Sequence, residues 1–594
     1  MSDPVLNVRR SASGRAWSWR SRPLPLGEAA RLGVDELAAQ LLLSRGCAPH
    51  EIGRTLKPAL RDWLPDPSVF RDMDALASRL ADAVESAEPI VLFADYDVDG
   101  ATSAAFLWRH LSALGARVRP YIPDRILEGY GPSTAALLAL QAQGAKLVLL
   151  LDCGTQAFEP LEAARAAGLD LLVVDHHKAG TALPPALALV NPNRLDETPE
   201  GSAHATLCTA GLAFLVGVAL NRELRRRGFF ATRPEPRLSD WLDIVALGTV
   251  ADVVPLVGLN RAFVALGLRR MAGRGNAGLA ALADVARLSA APRADDLGFH
   301  LGPRINAGGR VGQADLGVRL LASDEAEEAA RLAGELDRLN QERRAIESAV
   351  TAEALAEAEA TQANSPVAVV AGAGWHPGVV GIVAARVKER LRRPALVLAL
   401  DEGGVAKGSG RSIPGVDLGA AVLAAKDMGL IEAGGGHAMA CGVTVAPGRL
   451  EGFAAWLAER LAADVAQATA AETLAIDLAV APAGASLALA QALDACGPYG
   501  QGWPAPRVAV GPVRMVRCDP VGRTAPPAHL RFVAAGPDGG RVEGIAFNAL
   551  SGPLGPALVA AGDAPVHLAG RLVAEDWQGR ARARLQLDDW APAV

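Results

Sequence analysis

From about residue 85 the chain carries short apolar blocks that end in acidic or glycine-rich punctuation. Pro89–Ala94, Arg117–Ile122, Lys146–Leu151, Asp170–Val174 and Leu187–Asn191 each read as a strand. Ala101–Leu114 reads as an apolar helix closed by Gly115, a residue suited to ending a helix. Strands separated by helices of this length predict a mainly parallel sheet with helices on both faces. Ligands of such sheets gather at the carboxyl ends of the strands.

The pattern then changes. Over Ser323–Ala360 the residues Leu332, Leu336, Leu339, Ile346 and Val350 form one helical stripe, which predicts a long connecting helix. A second α/β segment follows, with strands Val367–Ala371 and Ala395–Leu400 around a helix Val379–Leu391. Glycine-rich stretches at Gly403–Gly410 and Gly434–Gly436 read as turns. Beyond about Ala470, short strands at Arg507–Cys518, Leu530–Ala535, Arg541–Phe547, Val566–Ala574 and Arg580–Leu587 predict a small β-barrel of the OB type. The expected organisation is an α/β chain in five parts. An N-terminal extension (1–55, helical near Val34–Ser44) precedes a parallel-sheet catalytic domain (56–265) and a linking segment with the long helix (266–360). A second α/β lobe (361–468) and the barrel (469–594) complete it.

Composition narrows the class. Half of the 594 residues are apolar, yet no run of 18 or more predicts a membrane span. Met1–Arg22 lacks the apolar core of a secretory signal. The six cysteines form no C-x-x-C pair, which argues against a disulfide framework or structural zinc and fits a reducing cytoplasm. A net charge of −6 neither announces nor excludes a nucleic-acid partner, because local patches decide binding.

Four segments carry the candidate chemistry. Asp95, Asp97 and Asp99 follow the first strand at i, i+2 and i+4, and in extended backbone that spacing points all three to one side. Gly100 lets the chain turn into the helix. Asp152-Cys153-Gly154 ends the third block, and Asp175-His176-His177 ends the fourth. Asp252 closes a helical or apolar segment at Gly248–Ala251. A single strand-end Asp is often a turn or helix cap. Four such endings on one sheet predict carboxylates converging on one crevice, where only cations relieve their repulsion. Carboxylates with one or two imidazoles suit Mg²⁺ or Mn²⁺, and two such ions about 3.5–4 Å apart would hydrolyse a phosphodiester.

These motifs resemble motifs one to four of the DHH phosphoesterase superfamily. Together with PRINAGGR (303–310), WHPGVVGIVAARV (375–387), GSGRS (408–412) and GGGHAMACG (434–442), they resemble the RecJ-type single-strand-specific DNA exonucleases from about residue 55 to 510. The resemblance implies that Asp97 and Asp152 hold one divalent cation, and that Asp99, Asp152, His176 and Asp252 hold the second, with Asp152 bridging. Asp95 would join or support the first set. His177 would stand at the scissile phosphate and Asp175 would orient the histidine loop. Cys153, Thr209 and Trp503 depart from the family pattern.

For the strand itself, Arg304, Asn306 and Arg310 read as backbone contacts on a glycine-rich segment, or else as a tight turn with paired arginines. Trp375 and His376 precede a helix start suited to an anion, with Trp375 either stacking on a base or simply packing. Ser409 and Arg411, with Arg125, are candidates for a terminal-phosphate pocket, and Gly435, Gly436 and His437 for a further glycine-rich contact. A cleft between two lobes would admit one backbone and exclude a duplex. The implied activity is 5′→3′ degradation of single-stranded DNA to 5′-mononucleotides in repair and recombination, by a cytoplasmic monomer without membrane contact. A single-strand-binding protein or a helicase would be its companion. The competing expectations are a phosphodiesterase of short oligonucleotides or cyclic dinucleotides, which needs neither barrel nor PRINAGGR, and a non-catalytic strand-binding scaffold, which needs no intact acidic cluster.

Overall fold

The five early apolar blocks become five parallel strands of one sheet in the computed structural model, in the spatial order Val118–Tyr121, Ile90–Ala94, Leu147–Leu151, Asp170–Val174 and Ala188–Val190. The structure describes every residue except 1–2, 22–23, 25–26, 126, 523–525, 578 and 594. Ile90–Ala94 and Leu147–Leu151 are buried at every position, which is why they read as unbroken apolar runs rather than alternations. Val91, Phe93, Val148, Leu150, Leu171 and Val173 share one face, packed against helices Thr134–Ala142 and Phe158–Ala166. The register aligns Ala94, Leu151 and Val174 across the three central strands. The next residue on each strand is an aspartate, so Asp95, Asp152 and Asp175 emerge level at the same sheet edge.

Two compact units partition the chain: residues 1–302, 317–330 and 473–594 in one, 303–316 and 331–472 in the other. The second unit holds a five-stranded sheet in the order Ala433–His437, Ala440–Val445, Ala406–Arg411, Ala395–Leu400 and Ala368–Ala373. Both glycine-rich stretches read as turns thus prove to be largely strand. Close packing requires Gly408 and Gly410: a Cβ on Gly408 would lie 2.0 Å from the Val397 carbonyl oxygen, and one on Gly410 2.5 Å from Cys441 Sγ. The predicted long helix spans Ala326–Thr361, with Leu332, Leu336, Leu339 and Val350 of its stripe buried.

The first unit also contains the barrel. Strands Leu478–Val480, Val508–Val521, His529–Ala535, Arg541–Ala546, Arg580–Pro592 and Val566–Trp577 follow one another, and Val508–Val521 also pairs with Val566–Trp577, closing the sheet on itself. The N-terminal segment packs against this barrel and against helix Gly258–Ala272 of the parallel-sheet domain. Ala38, Leu41, Leu42 and Ile52 share a core with Val508, Val510, Leu530 and Leu568. The strand Ala16–Trp19, which the sequence does not announce, pairs in parallel with Thr473–Ile476. Buried Asp589 accepts hydrogen bonds from Ser11 Oγ (2.6 Å), Ser13 Oγ (2.6 Å) and Trp17 Nε1 (3.2 Å). Buried Arg261 donates to the carbonyl oxygens of Thr55, Cys496, Gly497 and Pro498 and lies over the Trp503 ring, joining the parallel-sheet domain to the segment before the barrel. The atypical Trp503 is therefore a packing residue. Among the described residues no helix is long and apolar enough to cross a membrane.

Candidate metal centre and strand-binding residues

The first acidic motif is not extended throughout, as its spacing suggested. The helix starts at Val98, three residues earlier than predicted, so Asp97 is its N-cap, accepting from Gly100 N at 3.0 Å, and Asp99 lies in its first turn. Gly100 is obligatory, because a Cβ there would stand 2.3 Å from the Asp95 carbonyl oxygen. Asp99 is buried and turns inward, where its carboxylate accepts from the backbone N–H groups of Thr209 (2.7 Å) and Ala210 (2.9 Å) at the start of helix Thr209–Arg226. That helix end favours a negative charge. Thr209 Oγ1 also donates to Asp152 Oδ1 at 3.0 Å, so this atypical residue ties two predicted ligands together. The fourth ending lies on a helix rather than on the sheet: Asp252 caps the C-terminus of Leu242–Ala251.

All six predicted ligands converge. Asp95, Asp97 and Asp152 form one group, Asp99, His176 and Asp252 a second, and Asp152, His176 and His177 a third, each with its ligand atoms within 4.8 Å of one another. His176 Nε2 stands 3.3 Å from Asp152 Oδ1, 3.7 Å from Asp252 Oδ2 and 3.9 Å from Asp99 Oδ2. Asp152 sits between the groups with a left-handed backbone, φ 61°, rare for a residue with a side chain. Its carbonyl accepts from Tyr130 Oη at 3.1 Å, and the same hydroxyl lies 3.3 Å from His177 Nδ1. Tyr130 escaped the sequence reading; its signal was the Glu128-Gly129-Tyr130-Gly131 stretch before a helix.

The histidine loop is held from beneath. Asp175 accepts from His176 N (2.8 Å), His177 N (3.1 Å) and Thr155 N (3.1 Å), and meets His177 Nδ1 at 2.7 Å. Asn191 Nδ2 donates to the His177 carbonyl and Asn193 Nδ2 to that of His176. These two asparagines also went unread, although Asn191-Pro192-Asn193-Arg194 directly follows a strand.

The electrostatics match the crowding. Burial, with the neighbouring charge of Asp97, pushes Asp95 up to about 8. Burial with Asp99 and Asp97 pushes Asp252 up to about 9. Asp152 and Asp99 are also raised, first by burial. Burial alone would raise Asp175, but the hydrogen bond and charge of His177 outweigh it and hold Asp175 low. The same pair lifts His177 against its own desolvation. Asp95 Oδ1 and Asp252 Oδ2 are buried without a hydrogen-bond partner, which fits oxygen atoms meant for cations. The donor set is oxygen and imidazole. The thiols of Cys153 and Cys208 are buried, raised well above their ordinary range by that burial, and belong to no ligand group among the described residues, so the set suits Mn²⁺ or Mg²⁺.

The strand-binding candidates are placed differently. Arg125 lies 5.1 Å over the Tyr96 ring in the first unit. In the second unit the PRINAGGR segment is helical, Gly302–Val311, rather than a glycine turn. Gly308 is small because Leu336 and the Gln313 carbonyl crowd it. Arg304 pairs with Asp337 at 2.9 Å, Arg310 donates to the Gly378 carbonyl, and Asn306 is half-buried on the same helix. Trp375 is buried and donates to Glu353 at 2.7 Å, so it packs and offers no face to a base. His376 Nδ1 accepts from Gly378 N, bracing the turn. Ser409 and Arg411 do share a face. A Cβ on Gly381, in the first turn of Val380–Leu391, would lie 3.1 Å from Arg411 Nη2 and 3.5 Å from Ser409 Oγ. A hydroxyl, a guanidinium and a helix N-terminus thus meet at one place suited to a phosphate. Gly435, Gly436 and His437 lie on the edge strand, with His437 exposed.

Comparison with known proteins agrees with this geometry. The DHH family N-terminal domain matches residues 89–249, the DHHA1 domain 364–463 and the RecJ OB domain 476–589. The single-stranded-DNA-specific exonuclease RecJ of Dickeya dadantii is 36% identical over 528 residues, 87% of this chain and 89% of that one. Its Escherichia coli counterpart is 36% identical over 530 residues, with 87% and 89% covered. The crystal structure of Thermus thermophilus RecJ in complex with Mn²⁺ superposes with a TM-score of 0.76 at 30% identity, covering 96% of this chain and 79% of that one.

Proposed function

The chain belongs to the RecJ family of exonucleases, and on that premise we propose that it hydrolyses single-stranded DNA from the 5′ end, releasing 5′-mononucleotides. The convergence of three carboxylate and imidazole groups around Asp152 carries the reading. Asp95, Asp97 and Asp152 would hold one divalent cation, and Asp99, Asp152, His176 and Asp252 the other. Bound there, Mn²⁺ or Mg²⁺ supplies a nucleophile at neutral pH and neutralises charge on the phosphoryl oxygens. The protein's own groups do the rest. Tyr130 and Thr209 fix Asp152 from either side. Asp175 engages Nδ1 of His177, so contact with the substrate falls to Nε2, and the raised basicity of His177 keeps a proton available for the departing oxygen. Ser409 and Arg411, with the helix start at Val380, suit a 5′-phosphate, and such a pocket would set polarity.

We place the reaction in the cytoplasm, in repair and recombination, with a single-strand-binding protein or a helicase presenting the strand to a monomer. The test is incubation with Mn²⁺ and a long single strand labelled at its 3′ end, beside the matching duplex. Progressive shortening of labelled strand with duplex spared is expected. Immediate release of labelled mononucleotide would reverse the polarity. An intact long strand with dinucleotides cleaved would make the chain a small-substrate phosphodiesterase.

A further inference from the structure

We infer that Phe299 and Val253 form a stacking platform for an unpaired nucleobase beside the metal-binding cluster, an inference that rests on the exonuclease reading. Leu297–Leu301 makes a π-helical turn, a rare backbone state that recurs at functional sites. Leu297 and Leu301 are buried and anchor the turn, whereas Phe299 between them is 77% exposed and has no aromatic partner among the described residues. Val253 is 63% exposed and holds φ 59°, a left-handed conformation that a β-branched residue rarely adopts.

Both residues adjoin the cluster. Val253 directly follows Asp252. The π-turn is seated on the same segment: a Cβ on Gly298 would lie 3.5 Å from Val250 Cγ1, and one on Gly302 3.4 Å from Ala251 Cβ and 3.8 Å from Val98 Cγ2. Val98 stands between Asp97 and Asp99. The turn displaying Phe299 is therefore seated against both segments that bear the ligands. Every base has a π-face, so stacking on an aromatic side chain holds a strand without reading its sequence. A base inside a duplex keeps its faces against its neighbours and offers none. The occupant that fits is a base of the strand being cut.

The experiment compares wild type, F299A and F299W on a 3′-labelled single strand, intact or carrying one abasic site at each of the first few positions from the 5′ end. Binding is read by fluorescence anisotropy with metal chelated, and kcat and KM with Mn²⁺. Wild-type binding should weaken about tenfold when the abasic position meets the platform. F299A should bind the intact strand about that much more weakly and ignore the abasic position, while F299W should match wild type. Melting temperature and its rise on adding Mn²⁺ should be unchanged, which separates the platform from the metal centre. Wild-type affinity in F299A, or undiminished sensitivity of F299A to the abasic site, overturns the inference. A wild-type protein that leaves every single strand intact overturns the exonuclease reading first, and the platform with it.

Discussion

Loading the centre with Mg²⁺ should release protons, and the number should fall with pH. In the metal-free protein burial and mutual repulsion hold Asp95 at about 8 and Asp252 at about 9, against an ordinary aspartate value near 4. Both are therefore largely protonated at pH 7, and a cation must displace those protons to bind. The two groups should release between about one and two protons per molecule at pH 7 and fewer at pH 9. The apparent binding constant of the loaded centre should rise about tenfold or more between pH 7 and pH 8 from this pair alone. The same sign governs folding. With raised carboxyl values the native metal-free chain binds more protons than the unfolded chain between about pH 4 and pH 9, so its stability falls as pH rises through that window. Cations should then stabilise most at the alkaline end. Titration calorimetry in buffers of different ionisation enthalpy counts the protons directly. A heat independent of buffer at pH 7, with affinity flat from pH 7 to 9, would mean that the carboxylates are ionised before any cation arrives, and would refute the argument.

Three further outcomes are expected. Asp152→Asn keeps a residue type that tolerates the left-handed backbone, so it should fold yet lose more than about a hundredfold in turnover while strand binding in chelator is retained; near-normal kcat would remove Asp152 from the centre. Arg411→Ala should reduce the preference for a 5′-phosphorylated over a 5′-hydroxyl end by about tenfold, since a charged hydrogen bond is lost; an unchanged ratio in competition assays would count against the pocket. Arg261→Met should lower stability by about 3 kcal/mol or more in denaturant unfolding, because it strips the donor from four carbonyls; a change within about 0.5 kcal/mol would show those carbonyls satisfied otherwise.

The sequence made the strand ends legible because buried parallel strands leave unbroken apolar runs, and each run stops at an ionisable residue whose burial must be offset by a partner or a cation. Asp95, Asp152 and Asp175 were found that way, and the register of three adjacent strands explains why three local stops make one site. Period alone misled at Asp97 and Asp99, where a helix begins inside the acidic motif. Glycine composition misled at residues 303–310, 408–410 and 434–436. At Gly308, Gly408, Gly410, Gly434 and Gly436 the missing side chain serves close packing within a helix or strand, against neighbours that only the fold brings near. Tyr130, Asn191 and Asn193 have only their places beside a helix or strand to mark them, since each acts on a backbone carbonyl brought near by the fold.

The pairing of the segment Ala16–Trp19 with Thr473–Ile476 has a consequence for how the molecule is made. Ser18 meets Thr473 across 455 residues, and Ser11 meets Asp589 across 578. A ribosome adding about 5–20 residues per second needs about 25–90 s to supply the first partner after the strand has emerged. During that interval the parallel-sheet domain has all its strands and is able to close, while Trp17, destined for a wholly buried place, waits in solvent. Chaperone capture of nascent chains should therefore concentrate on this short tryptophan-bearing segment, and should end only as the barrel is completed.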